Sequence, residues 1–143
     1  EKVKLSEISK EKLALVMIDM DNFKEINDNF GHKIGDEVLK FFAKTLLDNV
    51  GNNNIVARFA GDEFVILLHD MNINEIETLV NKIRNEVGKY YNDEIKIEFS
   101  TGICMSKDGM NMDKLLIYAD KYMYQEKKKK KRRKGMDCDF VNA

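Results

Sequence analysis

Apolar residues along this chain fall into three kinds of run, and each predicts a different element. Leu13-Ala14-Leu15-Val16-Met17-Ile18 is continuous and stops at Asp19, as expected of a central strand buried on both faces. Asn22 to Phe30 reads as a short helix ending at Gly31, followed by a loop. A longer helix is expected from about Asp36 to Asn49, where Val38, Leu39, Phe42, Ala43, Leu46 and Leu47 recur at three- and four-residue steps. Gly51-Asn52-Asn53-Asn54 then breaks the chain. Two β-forming runs follow, Asn54 to Phe59 and Phe64 to Leu68, and between them lies a turn carrying Gly61, Asp62 and Glu63.

A third helix is expected from about Asn74 to Tyr90, with Ile76, Leu79, Val80, Ile83 and Val87 facing inward. Ile95, Ile97 and Phe99 then alternate with polar residues, and Gly102 to Met105 continues that strand. A final helix spans about Met112 to Lys134 with Leu115, Leu116, Ala119, Tyr122 and Met123 inward, and Asp137 to Val141 suits an edge strand. The order βααββαβα(β) predicts an α/β chain of the α+β sandwich kind. Its central, antiparallel-rich sheet is flanked by helices, as in ferredoxin-like or polymerase-palm folds.

At 143 residues and 43% hydrophobic content the chain suits one domain with a real core, and no apolar run approaches a membrane span. The net charge of −1 hides an asymmetry, since residues 127–134 hold eight of the 24 basic residues and no acidic one. Such a block serves as a solvated helix end or as a contact for phosphates. It lacks the interleaved aromatics of a base-stacking surface, so no nucleic acid partner is expected. Cys104 and Cys138 have no metal-type spacing, which fits a reducing cytoplasm better than a disulfide framework.

The candidate chemistry lies at the strand ends. Alternation aims Asp19 and Asp21 the same way, with the Met20 carbonyl between them, and such oxygens suit a hard divalent cation. If the first strand neighbours the hairpin, Asp62 and Glu63 converge on Asp19, and the repulsion among them is relieved by a metal. Either acidic segment alone is equally compatible with a solvated turn. Asn22-Phe23-Lys24 opens a helix whose N–H groups, with the Lys24 ammonium, suit a polyphosphate. Asn27 and Asp36 offer donors and acceptors for a base edge, although Asp36 also suits a helix cap.

Five motifs in series resemble the GGDEF domain of diguanylate cyclases: Ile18 to Asp28, Gly31-His32-x-x-Gly35-Asp36, Arg58 to Phe64, Ser100-Thr101-Gly102-Ile103, and Ala119-Asp120-x-x-Met123-Tyr124-x-x-Lys127. The resemblance covers nearly the whole chain. It implies a nucleotidyl-cyclase-like fold and the condensation of two GTP into cyclic di-GMP, with release of pyrophosphate, across a homodimer. It implies that Asp19, the Met20 carbonyl and Asp62 hold Mg²⁺ or Mn²⁺, and that Glu63 assists beside Asp62 as the base toward the 3′-hydroxyl. Asn27 and Asp36 would read guanine. Phe23 N–H, Lys24, Gly61 and Lys127 would serve the phosphates, and Lys131 stands where an arginine is expected.

Three departures accompany the likeness. Ala60 replaces the first glycine of the family's name, and its methyl matters only if that position needs positive φ or close approach of a phosphate. Gly51 to Asn54 stands where the family's product-inhibition Arg-x-x-Asp is expected, so feedback through that site is not anticipated. The family's opening Asp-x-Leu-Thr-Gly-Leu segment is absent. Residues 1–143 are thus expected to be a single GGDEF domain excised from a longer protein with sensor or membrane domains. The alternative function is a degenerate domain that binds GTP or a partner and regulates its neighbours.

Overall fold

The computed structural model describes residues 12–90, 92–107 and 110–134. Strand β1 (Leu13–Met20) leads into helices α1 (Phe23–Phe30) and α2 (His32–Val50), and the hairpin β2 (Ile55–Ala60) and β3 (Glu63–His69) follows. Helix α3 (Ile73–Val87), strand β4 (Phe99–Met105) and helix α4 (Met112–Lys134) complete the order. The sheet order is β2-β3-β1-β4, with every neighbouring pair antiparallel. This is the expected α+β sandwich, and the final expected strand, Asp137 to Val141, lies outside the described residues.

The alternation of the strands divides the core in two. Ala14, Val16, Ile18 and Met20 of β1, with Phe64, Ile66 and Leu68 of β3, pack against α1, α2 and α3. Phe42 anchors that layer, its ring centroid 5.3 Å from Phe64 and 5.5 Å from Phe99. Leu13, Leu15 and Met17, with Val65, Leu67 and Cys104, face Leu115, Ala119 and Met123 of α4. Helix α4 lies very close to the sheet, since a Cβ on Gly102 would sit 1.9 Å from the Ala119 carbonyl oxygen.

Three boundaries differ from the sequence expectation, the simplest being helix α3, which ends at Val87 and not near Tyr90. Helix α2 begins at His32, so residues 32–35 are its first turn and not a loop; Gly31 alone, at φ 90°, separates it from α1. The β4 ladder begins at Phe99 although Ile95 and Ile97 are buried. Strand β1 ends at Met20, so the preceding residues have no strand to pair with. Their backbone meets instead the Asp21 N–H, which donates to the Glu98 carbonyl (2.9 Å), and the Asn22 amide, which donates to the Lys96 carbonyl (2.5 Å).

Candidate active site

The end of β1 is where the acidic segments meet. Asp19 pairs with Glu63 on one side and Ser100 on the other, so these three residues share the sheet face that α4 covers. The Met20 N–H donates to the Asp62 carbonyl (3.1 Å), which ties the β1 exit to the two-residue hairpin turn Gly61-Asp62. Asp62 is thus in the turn and Glu63 opens β3.

Asp19 and Asp21 do point the same way, and both reach one ammonium. The Lys127 Nζ lies 3.4 Å from Asp19 Oδ2, 3.2 Å from Asp21 Oδ1 and 3.1 Å from the Met20 carbonyl oxygen. Asp21 also accepts from Ser100 Oγ (2.6 Å) and from Lys130 Nζ (2.9 Å). Lys130 further donates to the Phe99 carbonyl and sits 3.5 Å from Glu126.

These surroundings drive the two aspartates apart. Burial pushes the Asp19 carboxyl up to about 6; Lys127 opposes that, while the Asp62 and Glu63 charges add to it. Burial acts on Asp21 in the same direction, but the hydrogen bonds from Ser100 and Lys130 and the lysine charges outweigh it and hold that carboxyl below its ordinary value. Asp19 is therefore held above its ordinary range chiefly by burial, and Asp21 is stabilised in its charged form. A cationic nitrogen among a carboxylate, a second carboxylate and a carbonyl marks a place where oxygen donors already accept positive charge, so the donor set fits a hard divalent ion. Among the described residues no group of three or more His, Cys, Asp or Glu side chains is gathered for a metal; the set here is two carboxylates and a backbone carbonyl.

Phe23 is the first residue of α1, Lys24 is exposed, and no side chain caps this helix end. Asn22 turns its amide toward Lys96 instead. Its N–H groups thus stay available near the strand end. Asn27 lies against the start of α2: a Cβ on Gly35 would be 1.8 Å from Asn27 Oδ1, so only glycine permits this approach. Asp36, the next residue, is exposed beside it. Ala60 ends β2 exposed to solvent, and positive φ among the described residues is confined to Gly31, Gly51 and Asp70. Neither Ala60 nor Gly61 is therefore held in a conformation that a side chain would strain. Arg58 bridges the turn, its guanidinium donating to the Ala60 carbonyl (3.3 Å) and the Gly61 carbonyl (2.7 Å).

Lys131 lies exposed on α4, one turn beyond Lys127. Lys130 and Ser100 were not singled out for a role by sequence reasoning, and both had a usable signal. Lys130 is three residues after Lys127 on a helix, hence on nearly the same face, and Ser100 lies near the start of β4, directly opposite Asp19.

The sequence pattern described as "Diguanylate cyclase, GGDEF domain" matches residues 2–133. The chain is similar to the diguanylate cyclase DosC of Escherichia coli K12, at 34% identity over 126 residues, which are 85% of this chain and 27% of that protein. It is also similar to the signaling protein YkoW of Bacillus subtilis, at 38% over 124 residues (82% of this chain, 16% of that one). The response regulator PleD of Caulobacter vibrioides is 33% identical over 132 residues, 87% of this chain and 29% of that one. The chain thus spans less than a third of the length of these curated relatives. The GGDEF domain of DgcB from Caulobacter crescentus, solved in complex with c-di-GMP, superposes with a TM-score of 0.80 at 26% identity, covering 86% of this chain and 76% of that one. The active GGEEF domain of a Vibrio cholerae diguanylate cyclase gives 0.78 at 28% identity, covering 87% and 81%.

Proposed function

The chain belongs to the GGDEF domain family of diguanylate cyclases, and from that membership we propose that it condenses two GTP into cyclic di-GMP with release of two pyrophosphates. The observation that carries this reading is the Asp19 carboxyl, pushed up to about 6 by burial and by the Asp62 and Glu63 charges even with the Lys127 ammonium 3.4 Å away and lodged among its neighbouring oxygens. Asp19, the Met20 carbonyl and Asp62 would hold Mg²⁺ or Mn²⁺. Once bound, the ion supplies charge neutralisation at the α-phosphate and the leaving pyrophosphate.

The chain's own groups do the rest. Glu63 takes the proton from the attacking 3′-hydroxyl, and Asp62 beside it orients the turn. The Phe23 N–H, Lys24, Lys127 and Lys131 hold the phosphates, with Gly61 leaving room beside them. Asn27 and Asp36 select guanine, since a carboxylate accepts from both N1–H and N2–H₂ where adenine offers no such pair. Each subunit of a two-fold homodimer presents one GTP, and each 3′-hydroxyl attacks the α-phosphorus held by the other subunit. The unstrained backbone at Ala60 supports turnover despite the missing glycine. No helix among the described residues is long and apolar enough to cross a membrane, and a cytoplasmic domain of a longer sensor protein fits the lengths of the relatives.

The test is incubation of the protein at high concentration with GTP and Mg²⁺, with chromatography for cyclic di-GMP. Product from the parent chain and none from Asp62→Ala is the expected result. GTP binding without product would replace this reading with that of a regulatory, catalytically degenerate domain.

A further inference from the structure

Lys127 serves two masters in this site. It touches Asp19, Asp21 and the Met20 carbonyl, yet the proposed function asks it to meet a phosphate. A divalent ion held by Asp19 and the Met20 carbonyl would take the place of the Lys127 ammonium at those two oxygens, and a triphosphate would then draw Lys127 from Asp21 as well. Asp21 has a side chain only 11% exposed, and a carboxylate left there without a cation would be strongly disfavoured.

Lys130 resolves this. Its ammonium lies 2.9 Å from Asp21 Oδ2, the oxygen that Lys127 does not touch, and it is held there by the Phe99 carbonyl and by Glu126. Glu126 is itself fixed by Arg84 Nη2 (2.9 Å) and by the Thr101 N–H (3.2 Å). Arg84 in turn donates to the Phe99 carbonyl (2.7 Å) and lies over the Phe99 ring at 4.4 Å. The Lys130 ammonium is therefore anchored by β4 and α4, with Arg84 of α3 bracing both of those partners. With Ser100 Oγ on Oδ1, Asp21 keeps a hydrogen bond and a full counter-charge after Lys127 departs.

We infer that Lys130 is a positioning residue: it is the resident counter-ion of Asp21, and it frees Lys127 to exchange Asp19 for the nucleotide's phosphates. This rests on the proposed GTP site. Metal alone needs Lys127 only to slide toward Asp21, whereas metal with nucleotide needs it to leave Asp21. Removing Lys130 should therefore harm the second event and spare the first.

The experiment measures Mn²⁺ affinity by electron paramagnetic resonance and, by calorimetry with Mn²⁺, the affinity for 3′-deoxy-GTP, an analogue that lacks the attacking hydroxyl and so cannot turn over on its own. Lys130→Ala is expected to bind Mn²⁺ alone at least as tightly as the parent and the analogue about ten-fold more weakly. Lys130→Arg should restore the analogue affinity. In the Asp21→Asn background, where no buried charge needs compensation, Lys130→Ala should have little further effect on it. Parent-like analogue binding by Lys130→Ala overturns the inference, as does an equal loss in the Asp21→Asn background, which would mark Lys130 as a general source of positive potential. Parallel weakening of Mn²⁺ and analogue would mark it as a structural support and overturn it too. Failure of the parent chain to bind the analogue at all would instead defeat the proposed function.

Discussion

The β1 exit and the β2–β3 turn carry the same chemistry, two carboxylates each, and are held in opposite ways. At the β1 exit, two lysines, a serine hydroxyl and backbone bonds to Asp62 and Glu98 hold Asp21 and the strand end from several sides. At the hairpin turn the edge strand is exposed along nearly its whole length, and Arg58 supplies the bridging contacts. One half of the site is thus built into the core and the other rests on an exposed edge. The difference teaches that a ligand bridging both halves finds one rigid wall and one that needs little energy to adjust.

The most severe break of this pairing is the removal of a carboxylate from either half. Asp19→Asn and Asp62→Ala should each lower cyclic di-GMP formation by about a thousand-fold or more, measured by product chromatography. Their stabilities should diverge from their activities, because Asp19 is a destabilising charge: without metal, Asp19→Asn should melt at or above the parent's temperature, by about 1 kcal/mol at most after solvent screening. Asp21→Asn belongs to the other class. It strips two ammonium groups of their shared partner and should destabilise the fold by about 1–3 kcal/mol in chemical denaturation.

Acidity separates the same two aspartates. The folded-state value of Asp19, about 6, lies above its ordinary 3.8, so its contribution to stability is fully present below 3.8 and is lost as pH rises through about 6. Asp21 is held below 3.8, so its contribution is present above that value and is lost as pH falls through the folded one. A divalent ion bound at the proposed site would favour the ionised form of Asp19. The rise in melting temperature on adding Mg²⁺ should therefore grow between roughly pH 5 and pH 7, read by scanning calorimetry.

The turn itself should respond least. Arg58→Ala removes exposed hydrogen bonds and should change stability by about 0.5 kcal/mol or less, with a few-fold loss of product formation. Ala60→Gly should stay within about three-fold of the parent's activity, since nothing in the backbone at that position requires glycine. A large gain from Ala60→Gly would show that a phosphate approaches this position closely, and would make the turn the more demanding half.

The order of strands and helices along the chain was legible because each rests on a period of apolar residues or on a glycine between two such periods, whereas the meeting of Asp19 with the hairpin depended on a strand pairing that only the sheet shows. The start of α2 was not, because two glycines four apart look like a loop in sequence while Gly35 serves to admit Asn27 between the helices. Residues 95–98 alternate like a strand and bury like one, but a ladder needs a partner and β1 has already ended. The burial of the lysines was only partly legible, since helical spacing groups Lys130 and Lys131 alike with Lys127. A run of five identical side chains carries no pattern, and only the phase of α4 against Gly102 turns Lys127 and Lys130 inward and leaves Lys131 outside.

That contact at Gly102 sets a dimension of the site from a distance. Because the α4 backbone rests directly on the strand, the helix cannot descend further, and the reach of its lysines is gauged by a position that bears no side chain. A single added methyl there would lift the helix like a shim and withdraw two ammonium groups from the carboxylates together. The spacing of charge around the Asp19 and Asp21 carboxylates is in this sense a carpentry problem, solved two residues along the strand from Ser100 and on the side of β1 away from the hairpin.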